Sequence, residues 1–213
     1  MIDVAVIATT FALILPAELP DKTFIATLVL ATRFRHLWVW LGVAAAFLVQ
    51  VLIAVTAGSL LTLLPQRIVL GATFLLFVVG AVIMIKGGLA SRASELAAQQ
   101  EEADDVSERV ANETALSPLR TMGISFIVLF TAEWGDLSQL LTAGLAARTG
   151  QPVSVFIGSW VALLVVSGVA VLAGSWLRTR VPIWRIRLVS GGILTLLALW
   201  TAYEFINAWG GVT

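Results

Sequence analysis

The hexapeptide Glu18-Leu19-Pro20-Asp21-Lys22-Thr23 returns 115 residues later as Glu133-Trp134-Gly135-Asp136-Leu137-Ser138. Each copy is embedded in a long apolar stretch, residues 4–31 and 119–147. A helix needs about 20 apolar residues to cross the hydrocarbon core of a bilayer. Four further stretches meet that length, at 38–64, 68–88, 153–177 and 184–209. Composition agrees, with 59% hydrophobic and 12% charged residues where soluble domains carry about a quarter charged. The pattern predicts an all-α integral membrane protein of six transmembrane helices. They form two three-helix repeats, residues 1–88 and 118–213, joined by a linker over 89–117.

The repeat extends beyond the hexapeptides. Thr27 matches Thr142 and Arg33 matches Arg148 at the same offset, while Gly42 matches Gly158 and Ala57-Gly58-Ser59 matches Ala173-Gly174-Ser175 one residue later in register. The N-terminus lacks a basic region and a small-residue cleavage site ahead of Glu18, so it reads as a retained first span and not a removed signal peptide. The loops after the first, third and fifth spans hold Arg33, Arg35, Lys86, Arg92, Arg109, Arg120, Arg178, Arg180, Arg185 and Arg187, against Arg67 and Arg148 on the opposite side. Positive charge stays cytoplasmic, which places the protein as a multi-pass cell (inner) membrane protein with both termini extracytoplasmic. With three spans per half, the second repeat enters the membrane inverted, as in many secondary transporters. The segment from Ser91 to Asn112 is rich in Ala, Gln and acids. It reads as a solvated cytoplasmic linker, partly helical or disordered.

Buried carboxylates carry the functional information. An ionised acid at mid-bilayer costs a few kcal/mol even on the lenient insertion scales, roughly 2.5–3.5 kcal/mol. Glu18, Asp21, Glu133 and Asp136 are four such acids, with Lys22 the one basic residue beside them, leaving −3. The i, i+3 spacing puts both acids of a pair on one helix face, and inverted symmetry brings the two pairs together near the midplane. Structural salt bridges between helices are the competing reading, but one lysine cannot pair four acids. Bound cations or protons then balance the charge. The donors are hard oxygens: the four carboxylates, the hydroxyls of Thr23 and Ser138, the Gln139 amide and backbone carbonyls. Such a set suits Ca²⁺, Mn²⁺ or Mg²⁺ and disfavours Cu⁺ or a closed zinc site. Clustered carboxylates titrate as a coupled set, so proton exchange against metal follows.

Pro16 and Pro20 remove backbone bonds to Ala12 and Pro16. Either the span is broken and the freed carbonyls join the cation ligands, or the prolines make an ordinary packing kink; the sequence leaves both open. Gly135 supplies the matching break in the second half. The other polar span residues, among them Gln50, Thr56, Ser59, Ser125, Thr131 and Ser167, either bond across helices or line a path. Trp38, Trp40, Trp176, Trp184 and Trp209 fit an interfacial belt, and Glu204 sits at the outer end of the last span.

Several classes are excluded. Zero net charge without a basic block gives no support for nucleic-acid binding. The chain has no cysteine and a single histidine, His36 in a loop, which removes thiolate chemistry and makes a histidine-based zinc or haem site a poor expectation. No nucleophile–base pair or metal-hydrolase motif is present, so an enzyme is not expected, nor is any prosthetic group. The open alternatives are a proton-coupled transporter of another solute and a non-transporting membrane subunit. Oligomeric state, including a homodimer, is open as well.

On these two hexapeptides the chain resembles the GDT family of cation transporters, which is marked by two copies of Glu-x-Gly-Asp-(Lys/Arg)-(Thr/Ser). The surrounding segments, Glu18 through Arg33 and Ala132 through Gln139, are also similar, as are the six-span layout and the acidic linker. The resemblance implies a carrier that moves Mn²⁺ and Ca²⁺ out of the cytosol in exchange for protons. It also implies that Glu18, Asp21, Thr23, Glu133, Asp136 and Ser138 form the ion site, with Lys22 beside them. Two positions depart from the family pattern: Pro20 stands in place of Gly, and Leu137 in place of Lys or Arg.

Overall fold

The computed structural model describes residues 2–18, 22–61, 63, 65–89, 92–110, 117–134, 136–180 and 183–210. Its helices run α1 (Val4–Glu18), α2 (Lys22–Arg33), α3 (His36–Leu61), α4 (Gln66–Leu89), α5 (Arg92–Arg109), α6 (Pro118–Ala132), α7 (Leu137–Thr149), α8 (Pro152–Arg180) and α9 (Ile183–Gly210). There is no strand among the described residues. In lipid a chain must satisfy its backbone within itself, and helices do so segment by segment.

Three helices are individually long and apolar enough to cross a membrane: α3, the Ile68–Leu89 part of α4 and the Pro152–Leu172 part of α8. The first and fourth expected spans each divide in two. The axes of α1 and α2 differ by 70°, those of α6 and α7 by 75°, and the breaks fall at the two hexapeptides. Counting each bent pair as one span gives five among the described residues; the segment expected as a sixth, 184–209, is helical within α9 but is not one of those five. Pro16 lies inside α1, which continues two residues further to Glu18. Pro20, Asp21 and Gly135 lie outside the described residues.

Interhelix contacts fix the relative directions. Along α1 and α8, the Asp3 N–H donates to Ser154 Oγ at 2.9 Å, and further up Ile7 and Thr10 press against Gly158; the two helices run parallel. Along α3 and α6, Gly42 meets Met122 and Ser125, while Gln50 Nε2 donates to the Phe130 carbonyl at 3.2 Å; these are parallel too. Between α3 and α8 the order reverses: Trp40 Nε1 donates to Leu164 O and Trp160 Nε1 to Ala44 O. With α3 antiparallel to α8, α6 runs opposite to α1, as an inverted repeat requires. The packing is likewise exchanged between halves: α1 packs on α8 as α6 packs on α3, α2 on α8 as α7 on α3, and α3 with α8 and α4 with α9 form the self-matched pairs.

Two expectations gain detail. The acidic segment carries a helix, α5, that packs on α2 and buries Gln99 and Val106, with Val110 buried just past its end; most of its other described side chains are exposed, as a solvated and partly helical linker requires. Trp40 is half-buried and donates to Leu164 O, so its indole also joins α3 to α8. Trp176, Trp184 and Trp209 have side chains outside the described ones.

Candidate metal centre

Four helix ends meet at the hexapeptides. α1 stops at Glu18 and α2 resumes at Lys22. α6 stops with Glu133 as its C-cap, whose N–H donates to Leu129 O. One turn on, the Asp136 N–H donates to Glu133 O at 3.3 Å, and the Asp136 carboxylate caps α7 through the Ser138 N–H at 3.4 Å. A helix C-terminus concentrates carbonyl oxygens and about half a negative charge. The C-termini of α1 and α6 offer carbonyl oxygens beside the acids, while the N-termini of α2 and α7 bring the opposite half-charge, so the helix dipoles largely offset one another there.

The break geometry brings the two halves together. One carboxylate oxygen from each of Glu18, Glu133 and Asp136 lies within 4.8 Å of the other two. Glu18 is 1% exposed and Glu133 3%, and Asp136 is partly buried. Three ionised carboxylates at that separation repel by roughly 3 kcal/mol per pair at an effective dielectric constant of about 20. A cation held among them, or protons taken up by them, would relieve that repulsion. Carboxylate oxygens in a protein interior suit a hard divalent ion coordinated at about 2.1–2.6 Å.

The neighbouring polar groups fall on two sides. Ser138, buried, and Gln139, partly buried, line a cavity of about 10 Å³ together with Gln50, Thr142 and Leu163. Thr23 is fully buried on α2, and its hydroxyl has no hydrogen-bond partner among the described residues. Leu137 is buried and packs against Gly80 of α4. Its repeat counterpart Lys22 begins α2, with a side chain outside the described ones. Pro16 lies in the last turn of α1.

Thr27 and Thr142 were not singled out as site residues from sequence, although their match at the 115-residue offset was visible. Both are buried; Thr142 Oγ1 shares a 3.0 Å hydrogen bond with Ser159 Oγ, and Thr27 Oγ1 has no partner among the described residues. At the far end of α7, Arg148 bonds Thr201 at 2.9 Å and pairs with Glu204 at 3.1 Å, which also accepts from Trp200 Nε1. Glu204 is thereby tied to α7.

The family model described as "Divalent cation/proton antiporter GDT1" matches residues 6–92 and 121–209. The two segments start at positions separated by the same 115 residues as the hexapeptides. The GDT1-like protein sll0615 of Synechocystis sp. is 30% identical over 197 residues, covering 89% of this chain and 94% of that protein. The chloroplastic GDT1-like protein 1 of Oryza sativa subsp. indica is 29% identical over 216 residues, with 94% of this chain aligned to 62% of that longer protein. The GDT1-like protein 3 of Arabidopsis thaliana is 28% identical over 198 residues, covering 88% of this chain and 67% of the relative. No solved structure matches the chain. The chain belongs to the GDT1 family of divalent cation/proton antiporters.

Proposed function

We propose that this protein exports Mn²⁺, Ca²⁺ or both in exchange for protons, by alternating access of its two repeats to one midplane centre. Family membership makes the chain a membrane cation transporter and not an enzyme. The observation that carries the finer reading is the convergence of Glu18 from one repeat with Glu133 and Asp136 from the other, within 4.8 Å. A centre shared between halves is sensitive to how those halves tilt, which is the requirement for opening to one face at a time. Its excess negative charge must be balanced in every state. A divalent ion does so in one state and protons in the other, and that alternation is antiport. Hard oxygen donors favour Ca²⁺ and Mn²⁺ over softer metals. In this reading both termini are extracytoplasmic, the 89–117 linker and α5 are cytoplasmic, and the membrane is the cell (inner) membrane.

The test is Mn²⁺ and Ca²⁺ uptake into inside-out vesicles with and without an imposed proton gradient. Gradient-stimulated uptake that disappears in Glu18→Gln and in Glu133→Gln is expected. Equal uptake by wild type and both variants would contradict the proposal.

A further inference from the structure

Hydroxyls in these helices normally satisfy themselves. Thr32, Ser59, Thr149, Thr195 and Thr201 each donate to a carbonyl three or four residues earlier in their own helix, at 2.7–2.8 Å. Thr27 does not, and Thr23 stands too near the start of α2 to have such a carbonyl within that helix. Both are 0% exposed, and among the described residues neither hydroxyl has a partner, a condition shared with Ser125 on α6. A buried polar atom left unsatisfied is costly and asks for an explanation such as an ion or water held in another state.

The repeat supplies one. Thr23 corresponds to Ser138, and Thr27 to Thr142. Within each pair the residues are four apart, so they share a helix face and stand about 6 Å apart along the axis. Ser138 and Thr142 line the small cavity, with Gln50 and Gln139, whereas Thr23 and Thr27 are sealed. The two helices also lead away from the carboxylates in opposite directions. α2 runs to Arg33 and the start of α3. α7 runs to the turn at Gly150, beside Asp3 and Ser154. Because α1 runs with α8 and against α3, those two ends lie on opposite faces of the membrane.

We infer that Thr27 and Thr142 are cation-handling residues, one helical turn beyond Thr23 and Ser138 on the two helices that leave the carboxylate centre, which coordinate a partly dehydrated divalent ion as it passes between the centre and each membrane face. The inference rests on the transporter reading and deepens it. In the state described here, the α7 step has polar company in Ser159, Gln50 and the cavity. The α2 step is closed, with its hydroxyls waiting for an oxygen-seeking ion or its water. Inverting the two repeats would exchange these roles.

The experiment uses the full-length protein reconstituted in liposomes, with Mn²⁺ and Ca²⁺ as probes, and compares Thr27→Val, Thr27→Ser and Thr142→Val with Glu133→Gln. Valine keeps the shape of threonine and removes the hydroxyl. Thr27→Val should leave equilibrium Mn²⁺ affinity within about twofold and leave the melting temperature unchanged or raised, because an unpartnered buried hydroxyl is lost. Its flux should nevertheless fall about tenfold or more, with Thr27→Ser restoring it. The apparent KM should rise for ions supplied from the Arg33 face in Thr27→Val, and from the opposite face in Thr142→Val. Unchanged flux and KM in both valine variants, with Glu133→Gln inactive, would overturn the inference and leave the transporter reading standing. A Thr27→Val protein that melts lower and loses binding together with flux would assign Thr27 a structural role, and that too overturns it. A wild-type protein that moves neither ion under any gradient would overturn both.

Discussion

Replacing Gly42 or Gly158 by alanine tests the crossing that holds the two repeats together. A Cβ at Gly158 would stand 2.6 Å from the Ile7 carbonyl oxygen and 2.8 Å from Thr10 Cβ. At Gly42 it would meet the Met122 carbonyl and lie 2.9 Å from Ser125 Cβ. Ordinary contact begins at 3.4 Å, and the obstructing atoms are backbone or the first atom of a side chain, so the helices must part by close to 1 Å. Gly123, on the same α6 that Gly42 touches, has nothing within 4 Å of its Cβ direction. All three changes gain the same helix propensity, about 1 kcal/mol, which cancels when they are compared. The difference between Gly42→Ala and Gly123→Ala is then the overpacking cost alone, about 1–3 kcal/mol. On the usual scale for chains of this length that is roughly 2–12 °C in melting temperature. Because α1 ends at Glu18 and α6 at Glu133, the displaced helices also carry the carboxylates, and Mn²⁺ binding should weaken with stability. Tryptophan-fluorescence melting in detergent, with and without Mn²⁺, reads both effects. If Gly42→Ala and Gly158→Ala melt with Gly123→Ala, the crossing described here is wrong.

Leu137→Arg restores in the second hexapeptide the basic type that Lys22 provides in the first. If net charge sets affinity, Mn²⁺ binding should weaken about tenfold and its pH dependence should shift, while Leu137→Met, a volume-conserving control, should change neither; calorimetric titration at several pH values decides, and an unaltered Leu137→Arg contradicts the charge argument. The Arg148–Glu204 pair is partly exposed, with side chains 18% and 37% accessible. Glu204→Gln should therefore cost under about 1 kcal/mol and its effect should fade in high salt; a larger, salt-independent loss in thermal melts would show a stronger role. Val106 is 1% exposed where α5 packs on α2. Val106→Asp buries an unpaired charge and should release α5, seen as new limited-proteolysis cuts within residues 92–110; unchanged resistance would mean that the helix is not held by that face.

How far the sequence carried this account depends on what kind of residue held the information. Buried acids in apolar spans are costly and rare, so the two hexapeptides announced both the break points and the residues that converge. The structure places the breaks there and brings Glu18 to Glu133 and Asp136. Asp21, Pro20 and Gly135 lie outside the described residues, so their part in the centre stays with the sequence reading. Packing partners were far less legible. The apolar faces of α3, α4, α8 and α9 offer little periodic contrast, because lipid and protein interior select the same side chains. Nothing local in Trp40 shows that its indole reaches Leu164 O. The docking of α5 was hidden in the same way: its buried residues, Gln99 and Val106 with Val110 just beyond, sit inside a segment whose acids dominate its composition. Arg148 and Glu204 pair across 56 positions, a distance at which unpatterned helices give no register.

The central claim is that both hexapeptides build one cation centre. Equilibrium binding of Mn²⁺ to the purified protein, followed by electron paramagnetic resonance in wild type, Glu18→Gln and Glu133→Gln, tests it most directly. A shared centre predicts a single high-affinity ion per chain that each substitution alone removes. Two independent ions, each lost only when its own hexapeptide is changed, would contradict it.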